Sequence, residues 1–151
     1  MTGVAAVATA AVLVGHAESA SVSQSESSLL KVINEVRVSY GLAPLRMDPR
    51  LERAARAHSS RMLRTGSFFH GAFKARIRSA GVRAPRVGEN LAWAEGSLGR
   101  ARQIVRLWMA SPGHRANLLH PGYRTIGIGA LRGSFSGHAN ALMVTTDFAG
   151  R

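Results

Sequence analysis

Two histidines and one glutamate stand at places where the backbone is expected to be held firmly. His70 ends Phe68-Phe69-His70, just past Gly66. Glu89 lies in Gly88-Glu89-Asn90-Leu91, within a run of alternating residues. His114 belongs to Ser111-Pro112-Gly113-His114-Arg115-Ala116-Asn117. Two imidazoles and a carboxylate are ligand types that suit zinc or a similar divalent cation. Ser111 or a water could complete a tetrahedral set, and Asn117 could orient His114 or touch a ligand. With an open fourth position, the same trio is the arrangement of a zinc-dependent hydrolase, where bound water ionises near neutral pH. Against that chemistry, no His-Glu-x-x-His helix is present. No separate general base lies near the three in sequence, since Glu95 and Asp147 are the only later acids.

The elements that must carry these side chains are legible from spacing. Leu29, Leu30, Ile33, Val36 and Tyr40 share one helical face, which predicts a helix over about 27–40. Gly41 supplies its left-handed stop. Asp48-Pro49 caps a second helix over about 49–65, with a buried stripe of Leu51, Ala54, Ala55, His58 and Met62. His58 is therefore read as a core histidine with a hydrogen-bond partner. A short helix over about 72–80 ends at Gly81. Val87, Glu89, Leu91 and Trp93 alternate with Gly88, Asn90, Ala92 and Ala94, the mark of a strand. A third long helix over about 98–110 carries Ala101, Ile104, Val105 and Trp108 on one face. The residue before a proline is pushed out of helical geometry, so this helix ends near Ser111. Ser111 is expected to cap a new short helix, with His114 in its first turn and Asn117 on the same face. Residues 126–130 and 142–148 alternate as two strands around the turn Gly133 to Gly137, an antiparallel hairpin. Helices before and between a few strands predict an α+β domain with a small antiparallel sheet.

Composition narrows the classes. A chain of 151 residues is one domain and can bury a core without staples. It has no cysteine, which excludes disulfides and thiolate metal sites. Residues 4–14 form an apolar run too short to span a bilayer but suited to a signal-peptide core, with Gly15-His16-Ala17 as a cleavage site. The expected organisation is thus a signal peptide at 1–17, a serine-rich linker at 18–28 and the domain at 29–150. The mature chain would have no transmembrane segment and would be exported. Twenty Lys+Arg stand against eight Asp+Glu, a formal charge of +12, and all but Lys31 and Lys74 are arginine. Such a balance predicts attraction to polyanions such as an anionic cell-envelope polymer. The arginines form no compact run and interleave with few aromatics, which argues against specific nucleic-acid binding.

Taken in order, several stretches resemble the CAP superfamily, in its cysteine-free bacterial branch. They are Asn34-Glu35-Val36-Arg37, Gly41-Leu42-Ala43-Pro44-Leu45, Leu51 to Met62, Phe69-His70, Gly88-Glu89-Asn90-Leu91-Ala92, Trp108 to Asn117 and Thr146-Asp147-Phe148. The resemblance spans about Leu29 to Phe148. It implies a three-layer α-β-α sandwich with a large cleft, lined in the family by two histidines and two acids that can hold zinc or another divalent ion. His70 and Glu89 look like two of those four. The second acid of many eukaryotic members, three residues after the tryptophan, is Ser111 here. The late-strand histidine, two before the threonine that Thr146 resembles, is Val144. His114 belongs to the bacterial motif and would reach the cleft from elsewhere. The expectation is a secreted domain whose His70/Glu89/His114 cleft, with Ser111 and Asn117, binds a divalent metal or a small or lipid-like ligand. A zinc hydrolase and a basic module for the cell envelope are the alternatives.

Overall fold

The computed structural model describes residues 14–151, with side chains from residue 24 onward except at position 98. The apolar run proposed as a signal-peptide core lies, Val14 apart, outside the described residues. Helix α1 spans Val14–Ser39, α2 Pro49–Thr65, α3 Phe73–Ser79, α4 Ala101–Ala110 and α5 Pro112–Leu118. Strand β1 spans Arg46–Met47, β2 Arg86–Ala94, β3 Tyr123–Phe135 and β4 His138–Gly150. The expected caps of α2 are present. Asp48 Oδ1 accepts from the Arg50 amide at 2.8 Å, Pro49 opens the helix, and Gly66 closes it in the left-handed region at φ 62°.

The sheet order is β1-β3-β4-β2. The hairpin β3–β4 and the pair β2–β4 are antiparallel, as expected. The two-residue β1 is an addition that the sequence reading missed, and it runs parallel to β3. It is too short for its own periodicity to show. Alternation along the central strands sorts side chains onto two faces. One face, with Ile126, Ile128, Val144 and Phe148, packs under α1 and α4 through Ile33, Ile104 and Trp108. The other, with Leu91, Met143 and Ala149, packs under α2 and α3 through Met62, Leu51 and Ile77. This is the three-layer α-β-α arrangement.

Three details differ from expectation. Helix α4 begins at Ala101 rather than near residue 98, after a separate 3-10 turn over Gly96–Gly99. Helix α1 already includes Val14 rather than beginning near Ser27, so the serine-rich stretch 18–28 is helical backbone. A reason is visible at Glu26, which is 3 % exposed. Its carboxylate takes the Arg56 guanidinium of α2 and the Ala130 amide of β3 at 3.2 Å, so tertiary contacts hold the chain in a helix that composition does not favour. Ser111 does precede α5, but its side chain does not cap it.

Helix α2 lies almost on the sheet because Gly127 and Gly129 have no side chains. A Cβ at Gly129 would run into the backbone of Ala55 and Arg56. Ser59 Oγ uses that closeness to donate to the Gly129 carbonyl at 2.8 Å. Gly129→Ala must push α2 off the sheet, and it is expected to destabilise the fold by about 1–3 kcal/mol in urea unfolding. Gly113→Ala, where nothing lies within 4 Å and φ is ordinary, is the control and should be close to neutral.

Candidate functional site

Strand β2 is an edge of the sheet, and its middle carries the candidate site. On the α2–α3 face it presents Glu89, and on the α5 face Gly88 and Asn90. The segment between α2 and α3 brings in His70. That segment is pinned where His58 Nε2 meets the Phe69 carbonyl at 2.8 Å and where Arg61 lies over the Phe69 ring. Gly71, at φ 61°, turns the chain immediately afterwards, under the same ring. His58 is thus the buried structural histidine expected of it.

His70 Nδ1 hydrogen-bonds Glu89 Oε1 at 2.7 Å. The His70 side chain is 55 % exposed while that of Glu89 is wholly buried. The imidazole therefore sits over the carboxyl as a lid, with Nε2 turned away from it. Behind, Arg76 of α3 donates to Glu89 Oε2 and reaches Asp147 Oδ1 at 3.4 Å. Glu89 and Asp147 are register partners across β2 and β4, so two carboxyls are buried side by side. Burial pushes Glu89 up to about 7, against the opposing pull of Arg76 and of a hydrogen bond to Asp147. Burial also pushes Asp147 up to about 8, again against Arg76 and with a further push from Glu89. Asp147 Oδ2 is buried with no hydrogen-bond partner among the described residues, which disfavours its ionised form. Arg76 is the counter-charge to the negative charge the pair carries.

His114 approaches the same edge from α5. Its Nδ1 hydrogen-bonds Ser111 Oγ at 3.0 Å, which explains why Ser111 leaves the helix amide uncapped. Burial lowers the affinity of this imidazole for a proton, and the nearness of His70 lowers it further. The two histidines therefore feel one another. Asn117 does not touch the His114 ring. Its Nδ2 donates to the Glu89 carbonyl at 3.0 Å and to Asn90 Oδ1 at 2.9 Å, and Asn90 Nδ2 donates to the His114 carbonyl at 3.0 Å. Asn117 and Asn90 thus lock α5 to β2. Gly88 leaves the room they need, since a Cβ there would collide with Asn117 and Tyr123.

The structure therefore gathers His70, Glu89, His114, Ser111 and Asn117 around one edge, but not as a three-ligand set. Both Glu89 oxygens are engaged, one by His70 and one by Arg76. Among the described residues no group of three His, Asp or Glu side chains could hold a metal ion. His70 and His114 are each engaged through Nδ1, by Glu89 and by Ser111. Sequence reasoning missed Arg76 and named Asp147 only as a later acid, remote in sequence from the three. Alternation already placed Asp147 beside Thr145 on one face; only the register of β4 against β2 brought it to Glu89.

Comparison with known proteins agrees with this fold. Residues 30–148 match the CAP family, described as the cysteine-rich secretory protein family. YkwD of Bacillus subtilis is 34 % identical over 114 residues, covering 72 % of this chain and 43 % of that protein. YlbC, a membrane protein of the same organism, is 33 % identical over 113 residues, covering 72 % of this chain and 32 % of that protein. The chain thus spans less than half the length of these relatives. An extracellular protein with an SCP domain from Bacillus anthracis superposes with a TM-score of 0.77 at 22 % identity, covering 92 % of this chain and 44 % of that one. An outer surface protein of Borrelia burgdorferi gives 0.73 at 22 % identity, covering 85 % of this chain and 93 % of that one. At such identities these two establish likeness of fold. The family match, with the ordered motifs and the α-β-α layers, assigns this chain to the CAP, or cysteine-rich secretory protein, family.

Proposed function

We propose that this CAP domain acts outside the cytoplasmic membrane as a binding domain, and that its cleft takes up a divalent cation such as zinc through His70 and His114. Export is supported by similar folds described as extracellular or outer-surface proteins. No helix among the described residues is long and apolar enough to cross a membrane. The observation that carries the cleft reading is the orientation of the two imidazoles. Each has Nδ1 bound by its own neighbour, Glu89 for His70 and Ser111 for His114, and each leaves Nε2 to a ligand. A carboxylate behind a histidine is the usual outer partner of a metal-binding imidazole. Glu89 takes that position rather than the third ligand position expected from the sequence. When bound, the ion would supply a Lewis-acid centre at the cleft mouth. Two nitrogens beside a charge-balanced carboxyl pair make a weak site, with water or a ligand filling the remaining positions.

Calorimetric titration of the 151-residue chain with zinc at pH 7.5 tests this. One-to-one binding is expected, lost in the His70→Ala/His114→Ala variant. Glu89→Gln, which keeps a hydrogen-bonding group behind His70, should weaken binding by about 10–100-fold without abolishing it. Equal binding by the wild type and the double variant, or none by either, would sink the reading.

A further inference from the structure

A second concavity lies away from the imidazoles. It measures about 600 Å³ and sits between α3, the segment leading into β2 and the start of β3. Lys74, Arg78, Arg83 and Arg86 line it together with His120 and Tyr123, and no carboxylate does. On helix α3, Lys74 and Arg78 are one turn apart and present their charges on the same side, while Arg76 turns inward to Glu89. These four cations take no part in any ion pair or side-chain hydrogen bond among the described residues, although Arg50, Arg56 and Arg102 all have acidic partners. The other side of loop 82–85 lines a further cavity of about 980 Å³ with Arg46, Arg50, Arg124 and Arg151. Its one acid, Asp48, is already held by Arg50 at 2.8 Å. A formal charge of +12 is therefore not spread evenly over the surface. A good part of it converges, unbalanced, on the two sides of one loop.

From this we infer that the trough on either side of Arg83 binds a linear polyanion bearing phosphate groups, several phosphates at a time. Packing like charges together without acids costs stability, because they repel at short range. A multivalent anion relieves that repulsion. Guanidinium forks match phosphate oxygens in pairs, and nearly every cation here is arginine. His120 and Tyr123 border the same cavity. The length of the feature, two cavities joined by one loop, suits a chain of phosphates better than a single ion.

The test is calorimetric titration of the 151-residue chain with inorganic polyphosphate, tripolyphosphate and orthophosphate, at low and moderate salt. The long chain should bind tightest, orthophosphate weakest, and all should weaken as salt rises. Arg83→Gln/Arg86→Gln should lose about tenfold or more, the value of a charge-assisted contact. Arg64→Gln/Arg106→Gln, an equal loss of charge on exposed helix positions outside both cavities, should change binding less than about threefold, since screened remote charges contribute little. His70→Ala/His114→Ala should bind polyphosphate like the wild type, so failure of the cation site and failure of this one are separate results. Equal losses in the two arginine pairs would mean diffuse attraction and would overturn the site. Polyglutamate of matched charge binding as well as polyphosphate would overturn the assignment to phosphate.

Discussion

Arg76→Leu is expected to destabilise the fold by about 3–5 kcal/mol at pH 8, and by clearly less at pH 5. The guanidinium is the only cation among the described residues in contact with two carboxyls that are wholly buried. Removing one partner of such a group leaves the remaining charge without compensation. The pH signature follows from linkage. Glu89 and Asp147 are raised in the folded protein to about 7 and about 8, while the unfolded chain ionises near the ordinary carboxyl range of about 4. The folded state therefore holds more protons than the unfolded one between about pH 4 and pH 8. Stability from this pair is full below the unfolded value and is lost as pH rises through the folded values. Without Arg76 both carboxyls rise further, so the variant should fall more steeply with pH than the wild type. Urea unfolding of both proteins at pH 5 and pH 8 measures the difference. A loss of the same size at both values would show that Arg76 is not the counter-charge of the pair.

Arg37→Leu should be comparably damaging, by more than about 3 kcal/mol, and without that pH signature. Arg37 is fully buried yet meets no carboxylate among the described residues. It donates instead to four carbonyls: Ala43 at 3.0 Å, Leu118 at 2.7 Å, His120 at 3.2 Å and Tyr123 at 3.5 Å. These belong to the loop after α1, the end of α5 and the entry to β3. One fixed fork thus ties α1 and the loop after it to the stretch from Leu118 to Tyr123, far later in sequence. Burial, aided by Arg124, lowers its affinity for a proton, but a guanidinium stays charged at neutral pH. Leucine would fill the volume and leave those carbonyls with lost or weakened bonds, each worth about 1.5–3 kcal/mol to a charged donor. Lysine should rescue little, because one ammonium cannot reproduce the planar fork. Thermal and urea unfolding check both substitutions. A loss under about 1 kcal/mol in Arg37→Leu would show that water replaces the fork without cost.

These two arginines mark where the sequence stops being readable. Arg37 lies in one of the ordered motifs, and its position on α1 is plain, but nothing local says that three of its partners lie more than 80 residues later. Arg76 is one of many arginines and stands in a short helix with no special pattern. Its role exists only because α3 packs against β2 and β4 there. His70, Glu89 and His114 were legible because each lies beside strong punctuation: Gly66 and two phenylalanines, the alternation of β2, and Ser111-Pro112. The fold brings them to one edge of the sheet. The role of Glu89 is not the one expected, since both its oxygens are committed to His70 and Arg76.

Local structure was legible from the sequence: the spans of α2, α3 and α5, the end of α4, the hairpin, the stops at Gly41, Gly66 and Gly81, and the sorting of strand residues onto two faces. Those depend on neighbours within a few positions, through backbone sterics and side-chain periodicity. The tertiary structure alone decided the helical backbone before Ser27, the parallel β1, the pairing of Glu89 with Asp147, the duty of Arg76 and the gathering of cations around loop 82–85. Each of these depends on which distant segments meet and in which register. A shift of one residue in strand pairing would put Asp147 on the opposite face, and no local pattern near Asp147 distinguishes the two alignments.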